Sequence, residues 1–148
     1  MVDLLQAYQA GRLNDAEKLA LSLTQNSPAH PLGWTVLGAV FAQTGKQSEA
    51  LIINQKVVKI TPRDAQAHSN LGVTLKELGR LEEAEASHRK AIALKADYPE
   101  AHNNLGIALK ELGRLEEAEA SYRQAIAVKA DYPEAHNNLG IALKELGR

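Results

Sequence analysis

The sequence predicts an all-α protein, a solenoid in which antiparallel helix pairs are stacked side by side. Residues 65–98 recur as residues 99–132 with 26 of 34 positions identical, and a third copy begins at Pro133 and runs to Arg148. Apolar residues within each copy are spaced as on one face of a helix. Only 4% of the residues are aromatic, so Leu, Ile, Val and Ala must form the core. Such a short period is typical of one helical unit that buries its apolar face against copies of itself.

The first half of each copy predicts a helix, which we call helix A. In residues 99–112, Leu105, Leu109 and Leu112 fall on one side of a helix. Pro99 suits the first helical position, because a residue there needs no N–H donor. Gly113 follows and can adopt the left-handed backbone conformation that ends a helix.

The second half of each copy predicts a second helix, helix B, which begins near Leu115. Two glutamates directly after Leu115 occupy its first turn, where the helix dipole favours negative charge. Apolar residues continue at helical spacing as far as Val128, and the proline at the end of residues 131–133 starts the next helix A. Glu119 and Arg123 are four residues apart, so we expect them to form an ion pair on the solvated surface.

A glycine recurs inside every helix A. Glycine within a helix costs about 1 kcal/mol relative to alanine, so its recurrence needs a packing reason. Ala118 in helix B is small as well, and we expect the two helices to approach closely there while Leu105, Leu109 and Tyr122 fill the surrounding space. The recurring glycines are Gly38, Gly72, Gly106 and Gly140.

The residues at these fixed positions resemble those of the tetratricopeptide repeat (TPR) family. That family has an early aromatic residue, a Leu-Gly pair, a bulky residue, a mid-repeat Gly, an Ala, a second aromatic residue, another Ala and a closing Pro. The matching residues are Trp34, Leu37, Gly38, Phe41, Gly45, Ala50 and Pro62, then Leu71, Gly72, Leu75, Gly79, Ala84 and Ala91, then Leu105, Gly106, Leu109, Gly113, Ala118, Tyr122 and Ala125. The departures are His68, His102 and His136 at the early aromatic position and Asn54 and His88 at the later one.

The resemblance implies a right-handed superhelix and places the repeat boundaries. It predicts one solenoid domain of nine helices over residues 1–148. The first repeat is degenerate and keeps Gly11, Ala16 and Pro28, with helix A shortened to about residues 2–10. The predicted divisions are the degenerate repeat at 1–30, full repeats at 31–64, 65–98 and 99–132, and a lone helix A at 133–148.

The helix A predicted at 133–148 has no helix B of its own in the sequence. Its Leu139 and Leu143 would then lie on a face that nothing in this chain covers. The sequence therefore reads as part of a longer array. We expect the open face to bind another copy of the chain, by end-to-end stacking or by exchange of a terminal helix, and so to give a homo-oligomer.

Composition excludes several classes of function. With 17 basic and 18 acidic residues the charges balance, so we expect neither nucleic acid nor a membrane as a partner. Cysteine is absent, and the first ten residues lack the features of a signal peptide. We expect a cytoplasmic protein that is not an enzyme and needs no cofactor. The histidines His68, His102 and His136 occur one per repeat, so packing is a better explanation than a metal site.

The side of helix A opposite the leucines carries polar and aliphatic residues that recur in each copy. By resemblance to the family, helices A line a concave groove where ligands bind. Asparagine is about 0.6 kcal/mol worse than alanine in a helix, yet its amide can donate and accept at once, as a peptide backbone does. With helices about 8–10 Å apart and an extended ligand advancing about 3.3–3.6 Å per residue, an Asn could meet the ligand at about every third residue. The predicted peptide-binding residues are Asn70, Asn103, Asn104, Asn137, Asn138, Val73, Ile107, Ile141, Lys76, Lys110 and Lys144.

Three of these asparagines, Asn70, Asn104 and Asn138, form what we call the asparagine ladder. They resemble the asparagines that hold substrate backbone in the TPR arrays of protein O-linked N-acetylglucosamine transferases. Val36 departs from the ladder in the preceding repeat. Two alternatives stay open: near-identical repeats copy a tolerated surface asparagine, or the amides bond to one another across adjacent helices.

Three hypotheses of function follow. The leading one is a non-catalytic protein–protein interaction scaffold that binds an extended peptide or a partner protein in its groove. The others are the substrate-recruiting arm of a larger enzyme such as a glycosyltransferase, and a self-assembling repeat module. A clamp for the C-terminal tails of chaperones, known from another branch of the family, is not expected. The positions of its cations carry Gln66, Ser69, Glu100 and Asn103 here.

Overall fold

The computed structural model describes residues 2–148, with side chains from Asp3 onward, and in this range the chain forms nine α-helices and no strand. This confirms the all-α prediction; the repeat boundaries and the handedness stay predictions. Each helix in the described range is too short, too polar or both to traverse a lipid bilayer. The helices are α1 (Val2–Gln9), α2 (Leu13–Asn26), α3 (Pro31–Gln43), α4 (Gln47–Ile60), α5 (Ala65–Glu77), α6 (Leu81–Leu94), α7 (Pro99–Glu111), α8 (Leu115–Val128) and α9 (Pro133–Glu145).

The turn between α7 and α8 shows how the sequence ends one helix and starts the next. Gly113 has φ of 79°, in the left-handed region that glycine enters without a Cβ penalty. Its N–H donates to the carbonyl of Lys110, and the N–H of Arg114 donates to the carbonyl of Leu109, each at 2.9 Å. These bonds satisfy carbonyl groups that the helix end would otherwise leave without partners. The predicted ends of α7 and start of α8 are confirmed to within a residue.

The chain divides into two compact units, Met1–Ala67 and His68–Arg148. In the first, the core contains buried Leu4, Ala16, Leu37 and Val40, among others. Trp34 and Phe41 are half-buried and pack against this core, as predicted for the aromatic positions of the repeat. The Trp34 indole N–H also donates to the carbonyl of Pro28 at 2.8 Å, which satisfies its polar atom.

In the second compact unit, α8 contacts both α7 and α9. The small Ala118 and the large Tyr122 of α8 are fully buried and pack with Leu105 and Leu109 of α7. A second cluster joins Ala125, Tyr132 and Ala135. Burial of a leucine side chain contributes about 1.5–3 kcal/mol, so the contacts of α8 stabilise the helices on both of its sides.

The recurring glycines meet the helix B of their own repeat at three positions. A Cβ built on Gly72 would lie 2.7 Å from the ring of His88. The equivalent atom on Gly106 would fall inside the contact distance of the Tyr122 ring, and the one on Gly38 would do the same with Asn54. Close helix contact is therefore confirmed at these three glycines. Gly140 differs, since a Cβ there would have no described atom within 4 Å.

Arginine–glutamate pairs link successive repeats on the helix B side of the second compact unit. The predicted pair is confirmed, with Arg123 Nε 2.9 Å from Glu119 Oε2. Sequence reasoning missed that the glutamate is shared. Glu85 accepts from Arg89 of its own helix at 2.8 Å and from Arg114 at 2.6 Å, 29 residues further along the chain. Glu119 is shared in the same way, between Arg123 of its own helix and Arg148, which lies 29 residues further along the chain.

Candidate functional site

The asparagine ladder lies on the helices A of the second compact unit. Asn70 is on α5, Asn104 on α7 and Asn138 on α9, and all three side chains are half-buried. The 34-residue period places them at the same point of each helix. Each amide therefore combines a packed side that restricts its orientation with an exposed side that a ligand can reach.

Asn103 does not point away from the core as we expected, because its side chain is only 5% exposed. Its Oδ1 accepts a hydrogen bond from Nδ2 of Asn138 at 3.1 Å, which ties α7 to α9. The equivalent Ser69 of α5 is also buried, whereas Asn137 of α9 is exposed. In α7 this position of the predicted outward stripe is thus covered by the next helix A, which a helical wheel of one helix cannot show.

Tyr132 is a further member of this polar cluster that sequence reasoning missed. The pKa of its phenol is raised by burial and by the nearby Glu100 and Glu134, while a hydrogen bond with Asn103 acts in the opposite direction. Asn103 is therefore held between Tyr132 and Asn138. A tyrosine recurs at the end of each copy, at positions 98 and 132, and this was the available signal.

Asn138 keeps hydrogen-bonding capacity after it donates to Asn103. A side-chain amide has two N–H donors and an oxygen with two lone pairs, so one N–H and the oxygen are left for a ligand. The alternative that amides bond across adjacent helices therefore holds for the pair Asn103–Asn138. This bond orients the ladder amide without using all of its donors and acceptors.

The other predicted groove residues surround the ladder with aliphatic and balanced charged groups. Val73 and Ile141 are exposed, and Ile107 is half-buried against the cluster around Leu109. The ammonium of Lys76 lies 3.4 Å from Glu77, and Lys110 lies 3.8 Å from Glu145 on α9. Solvent-exposed pairs of this kind contribute about 0–1 kcal/mol to the stability of the fold. Their main effect is to neutralise the charge of the lysines on the predicted groove surface. Lys144 is exposed.

Two of the recurring histidines, His102 and His136, contact the loop that precedes their own helix A. The Nε2 atom of His102 lies 2.8 Å from the carbonyl oxygen of Ala96, and His136 makes the same contact with Ala130. A ring nitrogen that donates to a backbone carbonyl fixes the loop against the first turn of the helix. These contacts agree with the packing role that the sequence predicted for the histidines.

A cleft of about 360 Å³ lies between α6, α7 and α8. Apolar Ile92 and Leu105 line it together with Arg89 and His102. Ser121 and Gln124 also line it. Its two basic side chains are already engaged, since Arg89 pairs with Glu85 and His102 contacts a backbone carbonyl. We therefore assign no ligand to this cleft.

The TPR repeat family profile matches residues 74–113 and 108–147, and further tetratricopeptide repeat profiles match residues 54–86 and 5–65. The chain belongs to the tetratricopeptide repeat family. No protein of curated function matches the sequence of this TPR chain.

Solved structures share the TPR fold over nearly the whole chain. MamA is 22% identical, with a TM-score of 0.87, and the match covers 99% of this chain and 80% of MamA. A thermophilic TPR protein from Thermus thermophilus is 26% identical, with a TM-score of 0.80, over 95% of this chain and 77% of that protein. The first TPR of Spaghetti (RPAP3), bound to the HSP90 peptide SRMEEVD, is 25% identical, with a TM-score of 0.73, over 87% of this chain and 94% of that one.

Proposed function

We propose that this TPR chain is a non-catalytic scaffold that binds an extended peptide, or an extended segment of a partner protein, across α5, α7 and α9. The observation that carries the proposal is the row of half-buried amides at Asn70, Asn104 and Asn138. One of them, Asn138, is oriented by a hydrogen bond to buried Asn103. A preoriented amide loses less conformational entropy when it binds, which favours affinity.

The chemistry of the face suits the backbone of the ligand more than its side chains. Each ladder amide can donate to a peptide carbonyl and accept from a peptide N–H. Lys76 and Lys110 beside the ladder each lie within 4.0 Å of a glutamate, which reduces the net charge available to select a charged ligand. Exposed Val73 and Ile141 offer apolar contact to alternate side chains of the ligand. We therefore expect tolerance of ligand sequence.

The Spaghetti structure supports a peptide as an occupant of this fold, since that protein is bound to SRMEEVD. That peptide carries three acidic residues, and this chain offers no matching set of cations at the expected positions. Glu100 is itself acidic, and Asn103 is buried beneath the ladder. We infer that the side-chain amides of the ladder hold the ligand of this chain through its backbone, and that a charge clamp does not.

A second candidate function rests on the ladder itself. Asn70, Asn104 and Asn138 resemble the ladder of protein O-linked N-acetylglucosamine transferases, so the chain could recruit substrate segments for a larger enzyme of that kind. The sequence encoded after Arg148 distinguishes the two candidates. A glycosyltransferase domain there would favour the recruiting arm, and further repeats alone would favour the scaffold.

Replacing Asn70, Asn104 and Asn138 together with alanine is expected to weaken peptide binding while leaving the helices intact. Each lost hydrogen bond costs about 1 kcal/mol, and alanine is the better helix former, so helicity should stay equal or rise. The measurement is fluorescence anisotropy with extended peptides selected from a random library on the wild-type chain.

The matched control is Asn14→Ala, an exposed asparagine on α2 in the other compact unit. It should leave peptide affinity unchanged. Equal affinity of the wild type and the triple variant would reject the ladder as the binding site.

We also propose self-association through Leu139 and Leu143 of α9. Both side chains are half-buried and flank exposed Gly140. Association of two copies would remove this apolar area from water. Sedimentation equilibrium should therefore show a mass that rises with protein concentration, and a constant monomer mass over a wide concentration range would contradict the proposal.

A further inference from the structure

The amides of the asparagine ladder differ in the residue that lies beside them on the preceding helix A. Asn138 of α9 donates to Oδ1 of Asn103 on α7. The 34-residue period gives Asn104 of α7 an equivalent neighbour on α5, which is Ser69. Asn103 and Ser69 are both buried, but a serine hydroxyl reaches less far from its backbone than an asparagine amide. Among the described residues, the bond from Asn138 has no counterpart from Asn104 to Ser69.

Asn103 is itself held in place by Tyr132. The tyrosine occupies the N-terminal cap position of α9 and is buried. It packs with Ala125 and Ala135, and its side chain forms a hydrogen bond with Asn103. Asn103 therefore has two partners, Tyr132 and Asn138, and little freedom to rotate. The orientation of Asn138 is thus fixed through a buried residue that a ligand does not touch.

The ladder position is half-buried in both α7 and α9. Asn104 is half-buried although α9 packs beside α7, and Asn138 is half-buried as well. The bond between Asn138 and Asn103 joins two successive helices A directly. The difference between Asn138 and Asn104 therefore arises from the preceding helix, which carries asparagine in one case and serine in the other.

A fixed amide selects the groups of a peptide backbone that can pair with it. After Asn138 has donated to Asn103, one N–H and the oxygen are left for a ligand. The N–H suits a peptide carbonyl, and the oxygen suits a peptide N–H. A ligand residue without an N–H, such as proline or an N-methylated residue, leaves the oxygen without a donor. Because Asn103 holds Asn138, this amide cannot turn to exchange its two groups, whereas Asn104 lacks the bond that would restrain it.

We propose that Asn103 is a positioning residue of the peptide-binding site, and that it makes the site require a backbone N–H on the ligand residue opposite Asn138. The ligand class is thereby narrowed to extended peptides in which this residue is neither proline nor N-alkylated. Asn103 is buried and acts on the ligand only through Asn138. This inference rests on the proposed function, because it needs the ladder to bind peptide.

Asn103→Ser is the first test, because it gives α7 the residue that α5 carries at the equivalent position. The probes are labelled peptides selected from a random library on the wild-type chain. We expect the variant to bind them about two- to tenfold more weakly, since Asn138 must then be ordered during binding. In a chain that already carries Asn138→Ala, the same substitution should cause no further loss. Circular dichroism and urea midpoints check that the helices persist.

Ser69→Asn is the converse variant and should strengthen binding. It supplies beside Asn104 the acceptor that Asn103 supplies beside Asn138. Helix α7 accommodates an asparagine at this place, so we expect α5 to do the same. The expected gain of affinity is about two- to tenfold, and it should vanish in a chain with Asn104→Ala. A merely structural role of this position predicts no gain.

N-methylation of the ligand tests the requirement for a backbone N–H. Each residue of one selected peptide is replaced in turn by its N-methyl counterpart, and affinities for the wild type and Asn103→Ser are compared. We expect one position at which N-methylation weakens wild-type binding about fivefold or more, as the loss of one hydrogen bond does. At that position Asn103→Ser should lose less, because its Asn138 amide can turn. Effects of the methyl group on the free peptide are common to both proteins and cancel.

Four results would overturn the proposal. The first is wild-type affinity of Asn103→Ser. The second is an equal loss from Asn103→Ser with and without Asn138, which would mean that Asn103 acts elsewhere. The third is no gain from a folded Ser69→Asn chain, and the fourth is the same N-methyl profile for both proteins. Failure of the proposed function is a different result, because the triple alanine variant of the ladder would then bind the peptides as the wild type does.

Discussion

Gly140→Ala is expected to stabilise the protein, whereas the same substitution at Gly106 is expected to destabilise it. The two glycines lie in identical stretches of sequence, so helix propensity favours alanine equally at both, by about 1 kcal/mol. Only Gly106 lies beneath a fully buried tyrosine ring. Overpacking of a core costs about 1–3 kcal/mol. The added methyl group would collide with the fully buried ring of Tyr122, so we expect the cost to exceed the gain.

Urea unfolding followed by circular dichroism measures the two changes in the free energy of unfolding. Because a terminal helix of a repeat array can fray alone, hydrogen exchange of the α9 amides should accompany it and show greater protection in Gly140→Ala. Changes of the same sign at both glycines would contradict the close contact between α7 and α8.

The second large effect is a loss of stability in acid that originates at His88. This side chain is 1% exposed and packs on Gly72, and neither ring nitrogen has a hydrogen-bond partner among the described residues. Burial, with a smaller contribution from the charge of Lys76, lowers the pKa of His88 from 6.5 to about 4. The folded state therefore favours the neutral ring, and protonation favours the unfolded state.

The sign of the pH dependence follows from this lowered pKa. The contribution to the free energy of unfolding is complete above pH 6.5 and falls as the pH drops from 6.5 towards 4, by about 2 kcal/mol at pH 5 and about 3 kcal/mol in full. Urea midpoints measured between pH 7.5 and 4.5 should record the loss.

His88→Tyr is the matched variant, because Tyr122 occupies the same position over Gly106 in the next repeat. The tyrosine does not titrate in this range, so the variant should keep its stability at pH 5 better than the wild type does. The other titrating groups are common to both proteins and cancel in the comparison. Parallel pH profiles would show that His88 is not the origin of the acid sensitivity.

The periodicity of the sequence was enough to predict the helices of the second compact unit. Pro99 marks the start of α7 and Gly113 its end, because each residue type has a backbone property that the helix terminus requires. The tight contact at Gly106 could also be predicted, because glycine destabilises a helix and its recurrence therefore needed a packing reason. These predictions succeeded because their causes act within one repeat.

The features that sequence reasoning missed depend on the neighbouring repeat. Asn103 looks exposed on the wheel of α7 alone, but α9 packs beside it and Asn138 donates to it. Glu85 has a partner within its helix, and its second partner, Arg114, is supplied by the following turn. Gly140 has the sequence context of Gly106 and none of its contacts. A pattern read from one repeat cannot specify what the adjacent repeat covers.

The shared glutamates have a consequence for how such a gene can change in length. Glu85 pairs with Arg114, and one repeat later Glu119 pairs with Arg148. An extra 34-codon segment inserted in frame would carry one such arginine and one such glutamate. Its arginine would pair with the glutamate of the preceding repeat, and its glutamate with the arginine of the following one. Unequal recombination between the two nearly identical stretches could therefore add or delete a copy without any compensating mutation at the junction. We therefore expect natural alleles of the gene to differ in their number of repeats, because every repeat can form the same ion pairs with its neighbours.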